Sequence, residues 1–215
     1  MSQSGHIGIE QLDGPAAALA EGAFRLVYAE AFAGPPYAET EADVSAAFRR
    51  FRTWTRKSTF RGVLAVTDDG EPVGMAYGYA LGPQAGWWDQ LTERVPEDMR
   101  REDGRRTFGL MEMAVRAAWR RQGVARRLHE ALLTAVDAER VLLNVHPDSR
   151  EAVAAYRSWG YRKVGDAHPW PGAPLYDVML RVASASESGL VDQVRLAEPA
   201  GQRVDETGRD VKEQG

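Results

Sequence analysis

Residues 114–133 read "AVRAAWRRQGVARRLHEALL". An apolar run gives way at Gly123 to a helical pattern, and five arginines fall between Arg116 and Arg127 with no acid among them. Such a run can be a solvated helix face, a nucleic-acid patch or a cradle for phosphate. A solvated face is the commonest use of a charge run. Here, however, the cations crowd the start of the helix, where the helix dipole disfavours them. An anionic partner accounts for that placement. A helix N-terminus also presents unpaired N–H groups and a partial positive charge to phosphate. Gly123 lets the backbone approach a ligand without a Cβ in the way.

Composition narrows the choice. The chain has 215 residues, 44% of them hydrophobic, enough for one sizeable domain and marginal for two. Its net charge of −4 makes the arginine run local, favours a small anionic ligand over a polyanion, and argues against nucleic acid or an anionic membrane as partners. There is no cysteine, which excludes disulfides, thiolate metal sites and a cysteine acyl-enzyme. The start, "MSQSGHIGIEQLDG", lacks the pattern of a secretory signal, and no apolar run approaches the ~20 residues needed to span a bilayer. The expectation is a cytoplasmic protein.

Outward from the arginine turn the elements alternate. Strands are expected at 6–12, at 61–81 as a hairpin around "DDGE", at 106–115 and at 140–147. Two more close the domain. Gly74 and Gly78 inside the hairpin suggest a bulge or a close backbone approach. Helices are expected at 15–32, with a stripe of Leu19, Ala23, Leu26, Val27 and Ala31, and at 40–57, where Thr40 and Asp43 form a cap. Two others fall at 122–138 and at 149–160, the latter with Ser149 as N-cap and Gly160 as stop. The long polar stretch 82–105 is either functional or holds a short helix. The result is an α/β domain spanning 1–183. The segment 184–215 has no aromatic residue and a net charge of −3, and is expected to be a disordered acidic tail. A short helix at 190–196 would be marginal there.

"RRQGVA" lacks the Lys-Ser/Thr ending of a P-loop and the paired glycines of the dinucleotide fingerprint. It resembles the Arg/Gln-x-x-Gly-x-Gly/Ala signature of the GNAT superfamily of N-acetyltransferases, with Arg120, Gly123 and Ala125 at the matching positions. "SREAVAAYRSWGY" is similar to a second piece of that family, matched at Ser149, Ala152, Tyr156, Gly160 and Tyr161. The resemblance covers roughly residues 6–182 and is most specific from 107 to 165.

The resemblance implies a single mixed, mostly antiparallel sheet that splays between its fourth and fifth strands, flanked by helices. It implies acetyl-CoA as co-substrate; no metal is expected, because no ligand cluster at metal spacing appears in the sequence. The backbone of Arg121, Gln122, Gly123, Val124, Ala125 and Arg126 would hold the pyrophosphate, with Arg120 opening the signature. Met113, Ala114 and Val115 would pair with the pantetheine arm as an added strand. Asn144 would lie near the cleft, and Ser149 and Tyr156 on the helix bordering the cofactor.

Tyr156 is the candidate acid, placed to protonate the leaving thiolate; the alternative is a phenol packed on the sheet with its hydroxyl in water. Glu112, an acid within an apolar strand, is the candidate base, since burial there would raise its pKa; the alternative is a pair with an arginine across the sheet. Trp87, Trp88 and "HPWPGAP" (168–174) are either pocket-lining or hydrophobic anchors. His129 is expected on the surface, and His146 and His168 are too isolated for a metal site. The expected function is acetyl transfer to a primary amine of a small molecule or protein in a ternary complex, by a monomer or homodimer. A non-catalytic acyl-CoA-binding module and a nucleic-acid-binding arginine patch are the competing expectations.

Overall fold

The alternating apolar runs become seven strands of one sheet, ordered β1-β2-β3-β4-β5-β7-β6. They are β1 Ile7–Leu12, β2 Arg61–Thr67, β3 Pro72–Ala80, β4 Thr107–Val115, β5 Arg140–Val145, β6 Arg162–Ala167 and β7 Tyr176–Val182. The computed structural model describes residues 6–183; the expected tail at 184–215 and the helix weighed at 190–196 lie outside the described residues. Every neighbouring pair is antiparallel except β4 with β5.

Helices α1 Gly14–Leu19, α2 Glu21–Phe32 and α3 Glu41–Trp54 cover one face over β2, β3 and β4. Thr40 and Asp43 cap α3 reciprocally, as the sequence predicts, and Val44, Phe48 and Phe51 are buried. The other face carries α5 Val124–Thr134 and α6 Arg150–Ser158, packed on Val63, Ala76, Phe108, Leu110 and Leu143. The 82–105 stretch holds a short 3₁₀ turn and α4 Glu97–Arg100, and lays Trp88 and Met99 over Leu142 and Val178 of β5 and β7.

The first helical segment departs from expectation. The single helix predicted over 15–32 breaks at Ala20, and its buried face is Phe24, Val27 and Tyr28. Leu19 is 92% exposed and Leu26 is also exposed. Phe24 and Tyr28 bury more surface than the leucines do, and the break re-phases the helix to put them inside. Gly14 fixes where α1 starts, because a Cβ there would lie 1.9 Å from the Thr55 carbonyl oxygen.

Candidate active site

Strands β4 and β5 pair only at Thr107–Arg140, Phe108–Val141 and Gly109–Leu142, then diverge. Three features set that gap. A register shift between Tyr77 and Gly78 leaves Met111 as an extra residue in β4, a bulge that bends the strand. Trp87 packs over Gly109, where an added Cβ would sit 2.8 Å from its ring, and donates its indole N–H to Asn144 Oδ1 at 3.1 Å. The expected cleft residue Asn144 is therefore at the head of the gap, tied across it. Below, Arg140 is fully buried and clamps the closed end. Its Nε donates to Thr107 Oγ1 at 2.6 Å, and its Nη2 to Glu102 Oε1 at 2.9 Å and the Met99 carbonyl at 2.7 Å. Trp88 donates to the same Glu102 oxygen, so Trp88 is a buried anchor.

The opened edge of β4 can be read residue by residue. Arg116 N–H donates to the Val73 carbonyl of β3, and backbone direction alternates along an antiparallel strand. Ala114 therefore points its backbone at β3, while Met113 and Val115 turn theirs toward the gap. The Val115 carbonyl already accepts from Arg120 Nε at 3.0 Å. Of the three expected edge residues, Met113 has both backbone groups available to a ligand, Val115 its N–H, and Ala114 neither.

The gap runs out onto the arginine turn. Gly123 caps α5 in the left-handed region at φ +77°, and Arg121 stands at φ +62° two residues earlier. An L residue enters that region at a cost of about 1–2 kcal/mol, and such strain concentrates where a backbone is shaped for a ligand. Arg127 N–H makes the first α-helical bond, to the Gly123 carbonyl. The N–H groups from Arg121 to Arg126 have no acceptor among the described residues. Val124 is buried beneath them, Ala125 half-buried, and Gln122 is anchored to the Ala118 carbonyl.

The arginine side chains have partners of their own. Arg116 bonds Glu30, Glu71 and the Pro72 carbonyl. Arg120 bonds the Val115 and Ala31 carbonyls, and Arg127 the Ile7 carbonyl. Arg126 pairs with Glu130 one turn on, and Arg121 faces Glu151 at 3.6 Å across solvent. Most of the charge fixes the elements around the turn, and the groups left without partners there are backbone N–H groups.

Glu112 is half-buried on β4, cross-strand from Tyr77 and on the face covered by α2 and α3. Burial pushes its carboxyl up to about 8, the Glu39 carboxylate adds to the rise, and Arg50 offsets part of it. The ion pair with an arginine across the sheet, weighed above, does not form among the described residues. Tyr156 is buried against Trp159 and Tyr161, and desolvation holds its phenol well above the usual range. Ser149 sits at the α6 N-cap position without capping; its hydroxyl bonds the Tyr37 hydroxyl at 3.0 Å.

Three residues escaped the sequence reading. Tyr37 and Glu39 lie on the short loop between α2 and α3, where no periodicity marks them, and Arg140 opens a strand like any surface arginine. His129, expected on the surface, is 4% exposed. It bonds the Tyr161 hydroxyl at 2.9 Å and stacks on Trp159, and burial lowers its pKa to about 4. It belongs to the core beneath α5.

Solved structures share this architecture. The protein PH1933 from Pyrococcus horikoshii OT3 is 18% identical, with a TM-score of 0.58 over 83% of this chain and 99% of its own. The ribosomal-protein-S18-alanine N-acetyltransferase from Escherichia coli is 17% identical, with 0.54 over 85% and 98%. The PaiA N-acetyltransferase from Thermoplasma acidophilum, solved with coenzyme A, is 11% identical, with 0.52 over 83% and 99%. No curated protein matches the sequence. The sequence itself matches the acetyltransferase (GNAT) family over residues 25–161, a span that runs from α2 through the splayed strands and the arginine turn to α6. The chain belongs to that family of acyltransferases.

Proposed function

We propose that the protein transfers the acetyl group of acetyl-CoA to a primary amine within a ternary complex. The observation that carries this is the continuity of two features: a β4 edge opened by the splay, and six backbone N–H groups without acceptors at its end. A pantetheine chain needs an unpaired strand edge, and a pyrophosphate needs convergent N–H donors at a helix N-terminus. Met113 and the Val115 N–H offer the first, and residues 121–126 offer the second. The coenzyme A in the PaiA structure of the same fold supports the reading.

Each proton has a place to go. The ammonium of the acceptor gives a proton to the Glu112 carboxylate, whose raised pKa makes it a competent base near neutrality. The freed amine nitrogen bonds the thioester carbonyl carbon, and as the C–S bond breaks the thiolate takes a proton from the Tyr156 hydroxyl; the second proton of the nitrogen passes to the Tyr156 oxygen, which restores the phenol and leaves a neutral amide, a free thiol and one proton on Glu112. Burial keeps that hydroxyl protonated until then. Asn144, held by Trp87, keeps the strands apart beside the thioester.

The test is release of free thiol from acetyl-CoA across a panel of amines. Amine-dependent release that disappears in Glu112→Gln, with coenzyme A affinity retained, is expected. Tight coenzyme A binding with no turnover on any amine would instead indicate a non-catalytic acyl-CoA-binding module.

A further inference from the structure

The face of β4 opposite α5 carries a second acid and a continuous aromatic wall. Glu39 lies beside α2, where the Tyr28 hydroxyl donates to its Oε1 at 2.9 Å. Its other oxygen, Oε2, is buried without a partner. Tyr77, cross-strand from Glu112, is fully buried, and its hydroxyl also lacks a partner. A native interior rarely leaves such groups unpaired, because each costs about 1–3 kcal/mol. Two orphan polar atoms, one on the Glu39 carboxylate and the other on the cross-strand neighbour of Glu112, mark a place that a polar ligand completes.

The wall runs ring to ring from α2 to the connection before β7. Centroids of Tyr28 and Phe32 are 4.6 Å apart, of Phe32 and Tyr37 4.8 Å, of Tyr37 and His146 5.9 Å, and of His146 and Tyr176 5.3 Å. Trp170 extends it 5.6 Å beyond Tyr176 and is 53% exposed, so the wall opens to solvent there.

We infer that Glu39 is the second acid of the acceptor site, and that the acceptor is a primary amine, bound as its cation, on an apolar or aromatic body bearing no carboxylate. The inference rests on the acetyltransferase reading above. An ammonium between Glu39 and Glu112 satisfies both carboxylates, and aromatic faces favour a cation further. The wall, its rings tilted or edge to face, buries an apolar body. A carboxylate next to the amine would meet the charge of Glu39, and that of Glu112 once it ionises, offset only in part by Arg50, and would be rejected. Tyr77 stands cross-strand from Glu112; the fields of Glu39 and Arg50 reach Glu112, and the field of Glu112 reaches the phenols of Tyr28, Tyr37, Tyr77, Tyr156 and Tyr176.

Steady-state rates of the full chain with 2-phenylethylamine, hexylamine and phenylalanine test this. 2-Phenylethylamine should exceed phenylalanine, which has the same skeleton with a carboxylate, by about 100-fold in kcat/KM. Glu39→Gln should raise KM for 2-phenylethylamine about tenfold while kcat stays within about threefold. It should also move the rising limb of kcat/KM to lower pH, because a like charge beside Glu112 is gone. Tyr28→Phe keeps the ring packing and should give a smaller rise in KM, so a Glu39→Gln chain that failed to fold would not stop the test. Equal use of phenylalanine, or a KM and pH limb that stay put in both variants, overturns the inference. If the protein binds coenzyme A but acetylates none of these amines, calorimetry with 2-phenylethylamine still decides. Binding to the wild type and not to Glu39→Gln would uphold the site while the acetyltransferase reading fell, and equal or absent binding would overturn the site.

Discussion

Gly123→Asp puts a carboxylate where the pyrophosphate is proposed to lie. An added Cβ at Gly123 meets nothing within 4 Å, so the side chain fits. Its φ of +77° is strained for an L residue, but Asp and Asn enter that region more readily than others, and the folding cost should be about 1 kcal/mol. The electrostatic cost to the ligand is larger. One charge about 5 Å from a phosphate, at an effective dielectric between about 20 and 80, costs about 1–3 kcal/mol, or about 5- to 150-fold in affinity. Gly123→Asn has the same shape and backbone demand without the charge. Calorimetric titration with coenzyme A should show Asp well below Asn, Asn near the wild type, and the gap narrowing as salt is raised. Circular dichroism checks the fold. If the Asp variant binds within twofold of the wild type, the turn does not hold the phosphate. If Asp and Asn lose affinity equally, backbone shape rather than charge sets the site.

Four further outcomes follow from the geometry. Glu112→Gln should lower kcat by at least about 100-fold, and the wild-type kcat/KM should rise with pH through about 8. The linkage sign is opposite to that of a salt-bridged acid: between about pH 4.5 and pH 8 the native state holds a proton that the unfolded state has lost, so Glu112 makes stability fall as pH rises across that window. Glu112→Gln should therefore raise the Tm at pH 8, with the difference vanishing below pH 4, as read by thermal melts. Tyr156→Phe should cut kcat about 100-fold while leaving coenzyme A affinity and Tm nearly unchanged, measured by calorimetry and stopped-time assays. Arg140→Met strands Glu102 in the core and should destabilise by about 3–5 kcal/mol in urea titrations. Arg116→Gln should lose about 1 kcal/mol of stability with coenzyme A affinity within twofold, since its partners are Glu30 and Glu71.

The element order was legible because most elements carry a local signature: the Thr40–Asp43 box, the "DDGE" hairpin turn, Gly160 at the end of α6. The splay was legible only through resemblance, since strand divergence depends on what fills the gap. Gly78 signalled the bulge, which falls at the Tyr77–Gly78 register shift where a Cβ would lie 2.1 Å from the Gly109 carbonyl oxygen, but Met111 as the extra residue across from it and Trp87 as the wedge have no signal along the chain. The stripe read in α1–α2 held at Val27, which is buried, and at Ala23 and Ala31, which pack on the core, but failed at Leu19 and Leu26 because it assumed one uninterrupted helix; a break at Ala20 rotates the face, and aromatic burial then decides its phase. His129 failed for a related reason. It lies at the edge of the α5 apolar stripe, and only the arrival of Trp159 and Tyr161 from beyond α6 covers it. Glu112 was legible because an acid within a strand of apolar neighbours is anomalous by itself. Its partner in charge, Glu39, sits in a polar loop where an acid is ordinary.

The arginine run is where sequence and structure differ most usefully. Counting charge, the stretch looks like an electrostatic attractor for phosphate. In the fold, Arg116, Arg120 and Arg127 each bond backbone carbonyls, of Pro72, of Ala31 and Val115, and of Ile7. Those carbonyls belong to β1, to the segments entering β3 and leaving β4, and to the end of α2, all of which converge on the turn. An arginine fork suits that task, since it meets several acceptors at once. Holding these ends rigid fixes the position of residues 121–126, and fixed N–H dipoles stabilise an anion without having to reorganise around it. Cations at a helix start are unfavourable, and these are kept off the axis by their carbonyl and carboxylate partners. In the proposed site the charge would therefore act on the phosphate chiefly by positioning the backbone proposed to meet it. That division is why Gly123→Asp and Arg116→Gln should separate so cleanly, one in affinity and the other in stability.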